Sequence, residues 1–480
     1  MKPRVAACRI ACVTQEPKRR VIAAVPPGHE RVRLRQRAYL TGGQRKLAAQ
    51  LFGCVRVVQN DALAYAAAEH KAGRPYPATK VIQHHVLTLG KQTPQRAWLN
   101  DVCGVALIQA VADVDRAYRN FFNSITGKRK GPQVGFPKRR KRSAAASARF
   151  AKSARFVVTP DPADADWARV RLSKIGQVKF RLTQPLEYLA DATSVTLIRE
   201  ADGRFYVSFV VVRPLPTRHQ PQGRGTGIDP GLASFATTLT IHTNTGEETT
   251  TKIATPAYMR RKARALARSQ RSLSRKQRGS ANRRKARQKV AVVHRKVRQA
   301  RLDHAHQQAA KIVAATDFIA IETLNVKGMA RGTNAKSVHD QAMSQFLTVL
   351  TEKAARHHIP LVKVGRWFPS TQLCSTCGAQ TGPKGQEQLD VRTWTCSECS
   401  TRHDRDINAA RNILTEGLRL HTLESQSTQN TPVADGQSET QNASPEGHSD
   451  ARTVGRTPRN TATKRTEAGS PTGEPDHAAA

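Results

Sequence analysis

The sequence predicts a multidomain α+β protein, in which a helical lobe and a small β-barrel precede an α/β domain that is split by an insertion. Three observations predict it. The first half passes from apolar helical periodicity into strand alternation with hairpin signals. The second half alternates buried-looking strands with helices, and acidic residues stand where two of those strands end. Between its last strand and its last helix, four of the chain's 8 cysteines form two closely spaced pairs.

Residues 1–30 are irregular and basic and receive no function. Residues 31–39 (RVRLRQRAY) alternate and predict a strand, after which Thr41 opens a helix with Leu47, Leu51, Val55, Val58 and Ala62 on one face. A second helix carries Leu107, Val111, Val114, Tyr118 and Phe121, so a helix-pair core is expected. Tyr118 and Phe122 read as core packing in preference to base stacking. Cys54 and Cys103 lie on the apolar faces as buried thiols. With Cys8 and Cys12 they show no metal spacing and suit a reducing, cytoplasmic setting. The cation-rich segment GKRKGPQVGFPKRRKR at 127–142 reads as a solvated loop within reach of phosphates.

From 167 to 212 the pattern is antiparallel β. Val170 and Leu172 alternate, as do Val178, Phe180 and Leu182, and Asp202-Gly203 predicts a hairpin between 195–198 and 205–211. Residues 257–315 are helical and intensely basic, with a break at Gly279. A thin apolar seam (Leu266, Leu273, Val290, Val293, Val297) predicts a helical hairpin with one packed and one cationic face. Residues 421–480 contain no aromatic residue and only one leucine, Leu423, and are expected to form a disordered tail.

Charge narrows the function classes. With 79 Lys and Arg against 36 Asp and Glu, the formal net charge is +43. Counterion release makes nucleic acid the natural partner of such a surface. A membrane partner is not expected, since no stretch approaches the roughly 18–20 apolar residues needed to span a bilayer. The first residues also lack an apolar run long enough for a secretory signal.

The paired cysteines read CSTC, then eighteen residues, then CSEC. Two cysteines separated by two residues present both sulfurs to one ion, and two such knuckles close a tetrahedral thiolate site. Cys374, Cys377, Cys396 and Cys399 are therefore expected to hold a structural Zn²⁺ with no open position. Gly378 follows the first knuckle, whereas Ser400 stands where the second would ordinarily have glycine, which predicts a more strained turn.

Three acidic residues stand out by context. Asp229 ends a short apolar strand in TGIDPGLASFA, Glu322 ends another in FIAIETLNV, and Asp406 begins a helix in HDRDINAARNIL. Asp404 competes with Asp406, but it suits the role of helix N-cap. The element order is a strand with Asp229, a hairpin (235–241 and 247–253), and the helical insertion. The strand with Glu322, a helix from about 340 to 357, a strand at 361–364 and the helix with Asp406 follow. This is the order of a ribonuclease-H-like fold, in which three carboxylates converge at one end of the central sheet. Such a cluster holds two Mg²⁺ ions about 3.5–4 Å apart for phosphodiester hydrolysis.

The segments GIDPGLASFA, IAIETLNVKGM and WFPSTQLCSTCG…WTCSECSTRHDRDINAARNIL resemble the nuclease motifs and ribbon of TnpB, the insertion-sequence-encoded family, and of the compact type V CRISPR effectors. The resemblance extends upstream through QRKLAAQLFGCVRVVQNDALAY, LIQAVADVDRAYRNFF and GFPKRRKR, and covers roughly residues 31–418. It implies an N-terminal extension (1–30), a first barrel strand (31–45), a helical recognition domain (46–125) and a wedge-like β-barrel (126–221). A RuvC-like nuclease (222–370) with the basic hairpin (257–315), a zinc ribbon (371–400), the nuclease's last helix (401–420) and the tail (421–480) complete it. It further implies a guide RNA and target double-stranded DNA as partners, with Asp229, Glu322 and Asp406 as catalytic Mg²⁺ ligands. Base pairing would supply sequence specificity. A strand-joining transposase and a non-cutting RNA-guided DNA binder remain open at this point, because one fold serves several functions.

Overall fold

The computed structural model describes residues 25–129, 131–142, 145–216, 221–332, 335–384, 388 and 390–429. Cys8, Cys12 and most of the expected tail lie outside the described residues. The contacts below fall within one compact unit, Met1–Gln426.

The first lobe pairs helices with a seven-stranded antiparallel sheet in the order β2-β6-β7-β1-β5-β4-β3. Its strands are β1 (His29–Tyr39), β2 (Ala146–Ala151), β3 (Val157–Pro160), β4 (Trp167–Leu172), β5 (Gly176–Arg181), β6 (Ser194–Arg199) and β7 (Phe205–Pro214). Its helices are α1 (Gly42–Lys71), α2 (Thr79–Gln83), α3 (Gly104–Ile125) and α4 (Leu186–Ala190). Thr41 starts α1 through a reciprocal cap: its hydroxyl accepts from the Gln44 amide, and the Gln44 side chain accepts from the Thr41 amide. Leu51, Val55, Val58 and Ala62 are buried as their spacing implies, together with Cys54, Cys103 just before α3, and Tyr118 on α3. Leu47 is not: it shares the spacing but stands near the start of α1, where its side chain is exposed. Phe122 is likewise exposed, at the edge of an aromatic group with Tyr76, Tyr118 and Phe121.

The second lobe holds a five-stranded sheet in the order β10-β9-β8-β11-β12. Strands β8 (Arg224–Asp229), β11 (Phe318–Glu322) and β12 (Leu361–Val364) run parallel, and β9 (Ser234–His242) and β10 (Glu248–Ala254) complete it antiparallel. Between β10 and β11 stand α5 (Tyr258–Ser274) and α6 (Ala281–Ala314), separated at Gly279, where φ is +88°. The two lobes meet at the β6–β7 hairpin. Asp202 at its tip is buried against Arg295 of α6, and Glu200 bridges Arg35 and Arg298.

After β11 come α7 (Val326–Met329), α8 (Ala335–Gln341) and α9 (Met343–Arg356). The helix expected from about 340 to 357 is thus broken at Ala342, whose φ is +54°. Beyond β12, the small strands β13 (Thr393–Thr395) and β14 (Arg402–Asp404) lead into α10 (Arg405–Gln429). That helix runs nine residues past the expected boundary at 420, so the start of the expected tail is helical.

Strand alternation sorts the sheet into two faces. Ile228, Ile319 and Ile321 pack with α6 and α9 through Ala309, Val313, Phe346 and Leu350. Phe318 and Ala320 face α10 through Ala410, Ile413 and Leu414. On this second face the approach is close enough to exclude a side chain. A Cβ at Gly227 would stand 2.0 Å from the Ala410 carbonyl oxygen, and one at Gly417 would stand 2.4 Å from the Ala320 Cβ. Helix and sheet therefore touch backbone to backbone. Gly227→Ala is expected to force them apart at a cost of about 3 kcal/mol, read as a lower urea midpoint; an unchanged midpoint would contradict this seating of α10.

Candidate active site and four-cysteine cluster

Register brings two of the three expected carboxylates together. Residues 225, 227 and 229 of β8 share one face, as do 318, 320 and 322 of β11, and both sets face α10. Gly225 pairs with Phe318 and Ile228 with Ile321, so Asp229 and Glu322 fall at the same level on adjacent strands. The first turn of α10 carries Asp406. Asp404 takes the other role its position allowed: its carboxylate accepts from the amides of Asp406 and Ile407, both at 3.1 Å, and caps the helix.

The electrostatics record how close the acids are. Burial, then the negative charges of Glu322 and Asp406, push Asp229 up to about 7 against the opposing pull of Arg405 and Arg392. Burial alone pushes Glu322 up to about 7. Asp406 is flanked by cations, with Arg392 at 3.5 Å and Lys252 at 4.0 Å; Lys252 also pairs with Asp404 at 2.6 Å. Two buried carboxyls raised in this way at the end of a sheet are unfavourable in isolation and favour the approach of positive charge.

The cysteines form a second centre. Among the described residues, Cys374, Cys377, Cys396 and Cys399 are the one group of three or more candidate ligands whose ligand atoms all lie within 4.8 Å of one another. The carboxylates are not drawn together that tightly. Sulfur separations are 3.6 Å for Cys374–Cys399 and 3.7 Å for Cys377–Cys396. The two knuckles repeat one backbone pattern. The Cys374 amide donates to the Ala379 carbonyl as Cys396 does to Thr401, and the Gly378 amide donates to Cys374 as Ser400 does to Cys396. Gly378 and Ser400 are thus equivalent, and both are left-handed, at φ +79° and +58°. The missing glycine has not altered the turn, so Ser400 carries its strain.

Asparagines missed in the sequence join the two centres. Buried Asn408 of α10 donates to the Leu373 carbonyl at 2.7 Å and accepts from the Ser375 amide at 2.9 Å, gripping the backbone on both sides of Cys374. Asn412, one turn on, donates to the carbonyls of Ser370 and Leu373. His403 is buried with its Nε2 3.0 Å from the Cys374 sulfur. The asparagines' signal was present, since Asn408 and Asn412 are four residues apart and share one helix face. Lys252 and Arg392 had no such signal, because only the fold brings β10 and the ribbon to Asp406.

Several known proteins resemble this chain. Residues 208–333 match the OrfB_IS605 family model, described as a probable transposase. Residues 344–413 match a Cas12f1-like TNB domain model. Residues 32–75 match a helix-turn-helix model of the OrfB_IS605 type; here that span is β1 and the single helix α1. The chain is 36% identical over 394 residues to a Streptomyces pristinaespiralis protein with the provisional name of RNA-guided DNA endonuclease, covering 80% of this chain and 88% of the relative. An Escherichia coli K12 protein with the same provisional name is 26% identical over 394 residues, covering 78% and 90%. A chain in a cryo-EM structure of a Cas12f1–sgRNA–target DNA complex is a looser likeness, at 12% identity and a TM-score of 0.48, covering 80% of this chain and 99% of that one.

The raised carboxyls fix the sign of a pH effect. Between about pH 4 and 7 the folded protein holds protons on Asp229 and Glu322 that the unfolded chain has released, so these groups subtract stability as pH rises through that window. Asp229→Asn is expected to stabilise the protein at pH 8 without added divalent cations, with the gain fading toward pH 4. Urea titrations at the two pH values check this, and an equal effect at both would contradict it. Ser400→Gly is expected to add about 1 kcal/mol by releasing the left-handed strain; a lower melting temperature would mean that the serine fits its turn.

Proposed function

The chain belongs to the TnpB family of insertion-sequence-encoded proteins, and we propose that it is an RNA-guided DNA endonuclease whose cut depends on Asp229, Glu322 and Asp406. One observation supports this reading best: two parallel strands and one helix start carry acids at the same sheet end, where burial raises Asp229 and Glu322 to about 7. The strand order β10-β9-β8-β11-β12, with α10 returning after the cysteine cluster, supports reading this lobe as a split ribonuclease-H-like (RuvC) domain.

The donor set fits hard divalent cations, because carboxylate oxygens are their preferred ligands and the acids need neutralising charge. Mg²⁺ bound there supplies charge neutralisation at the attacking and leaving oxygens of a phosphodiester. The residues do the placing. Asp229 and Glu322 hold one edge of the site from rigid strands, and Asp406 holds the other from a helix N-terminus fixed by Asp404. Arg392 and Lys252, beside Asp406, offer cationic groups to a phosphate backbone. The four sulfurs fit Zn²⁺: their 3.6 and 3.7 Å separations lie close to the edge of about 3.8 Å expected of a tetrahedron with Zn–S near 2.3 Å. With all four positions taken by thiolates, that ion is structural.

Guide RNA and target DNA account for the charge. A cleft between α1 and α3 on one side and β2 and β6 on the other is lined by Arg33, Arg56, Arg116, Arg140, Arg149 and Arg199. Guanidinium groups of this density suit phosphates, with base pairing to the guide supplying sequence selection. The family model's description leaves DNA strand transfer as the second reading, since the same acids would serve it.

Asp229→Ala or Glu322→Ala is expected to lower guided cleavage on the order of a thousandfold or more, as loss of a key transition-state stabiliser does, while RNA binding is retained. Undiminished cutting by either variant would remove the assignment, and a joined DNA product would favour strand transfer. Cys374→Ser is expected to reduce zinc content and lower the melting temperature; full zinc content and normal melting would argue against the ribbon.

A further inference from the structure

One residue at the carboxylate end of the sheet has no structural task. Trp367 is 85% exposed, whereas the other exposed large hydrophobic side chains among the described residues reach at most 60%. A tryptophan ordinarily hides much of its large apolar surface, so a ring left open to this degree points to a partner.

Its position is well defined. Val364 at the end of β12 lies opposite Glu322, and the Thr323 amide donates to the Val364 carbonyl. Three residues of chain reach at most about 10 Å, so Trp367 stands within the span of a few stacked nucleotides, at ~3.4 Å each, of the carboxylate row. The segment is anchored on both sides. The Phe368 amide donates to the Gly365 carbonyl at 3.1 Å, closing a turn with Arg366 and Trp367 at its corner. Phe368 then packs on the α10-facing core, and the Ser370 carbonyl accepts from Asn412. The Arg366 guanidinium lies 4.7 Å from the centroid of the indole ring.

We infer that Trp367 and Arg366 form a stacking platform for an unpaired DNA strand, holding a base on the indole and a phosphate on the guanidinium beside Asp229 and Glu322. The occupant must be unpaired, because in a duplex the base faces are covered by their neighbours. It must also be anionic, because the aromatic surface comes with a cation and adjoins a site that handles phosphodiesters. Stacking tolerates any base, which suits an enzyme whose sequence selection is made elsewhere. This inference rests on the endonuclease reading of the carboxylates.

The test uses the full chain with its copurifying RNA. Trp367 is one of 4 tryptophans, and its exposure makes it the one most open to iodide quenching. A short oligothymidylate is expected to shield that signal, and an abasic strand of equal length to shield it much less. Trp367→Ala is expected to remove the shielded component and slow guided cleavage on the order of ten- to a hundredfold, with zinc content unchanged. Trp367→Phe is expected to restore most of the rate. Shielding by oligothymidylate without any cleavage by the natural sequence would uphold the platform while the endonuclease reading fails. Natural cleavage rates in Trp367→Ala would overturn the platform. So would quenching that follows protein concentration instead of oligonucleotide, which would assign the ring to a second copy of the chain.

Discussion

Everything in the second lobe depends on the bare contact between α10 and the sheet. At Gly227 and Gly417 there is no room for a Cβ, so the helix axis lies as near the strands as backbone atoms permit. That closeness lets a residue on the first turn of α10 share a site with residues on β8 and β11. The same helix grips the first cysteine knuckle through Asn408 and Asn412, so the ribbon and the carboxylates are positioned by one element. The side chains that hold the first knuckle thus stand on the same helix as Asp406, two and six residues further on.

The charge pattern carries a local conflict. A chain of net charge +43 places acids at one sheet end, where burial raises Glu322 to about 7, and burial together with the neighbouring negative charges raises Asp229 to about 7. Acids raised in this way subtract stability near neutral pH, a local conflict of the kind that clusters at functional sites. Arg392 and Lys252 soften the repulsion around Asp406. Ser400 is a second departure from the most stable choice, with left-handed backbone kept by the knuckle's hydrogen bonds in place of a glycine.

Much of this was legible in the sequence. Strand alternation, the Asp202-Gly203 hairpin, the break at Gly279 and the two cysteine pairs are local signals, and local structure follows them closely. Asp229 and Glu322 were legible as strand-end acids because the runs before them are apolar. Features set by tertiary contact were not. Leu47 satisfies helical spacing, yet it stands near the start of α1, where its side chain is exposed. The turn at Ala342 and the extension of α10 to Gln429 have no strong breaker or cap to announce them. Gly227 reads as a weak strand residue until the Ala410 carbonyl is seen above it.

The most direct test of the account is to express the chain with its flanking noncoding DNA, purify it, and sequence the RNA that stays bound through high salt. The account predicts one discrete RNA with a fixed scaffold and a variable end, and Mg²⁺-dependent cutting that moves to a new DNA sequence when that end is changed. Heterogeneous RNA that is lost as salt rises, or cutting that ignores the RNA, would contradict it.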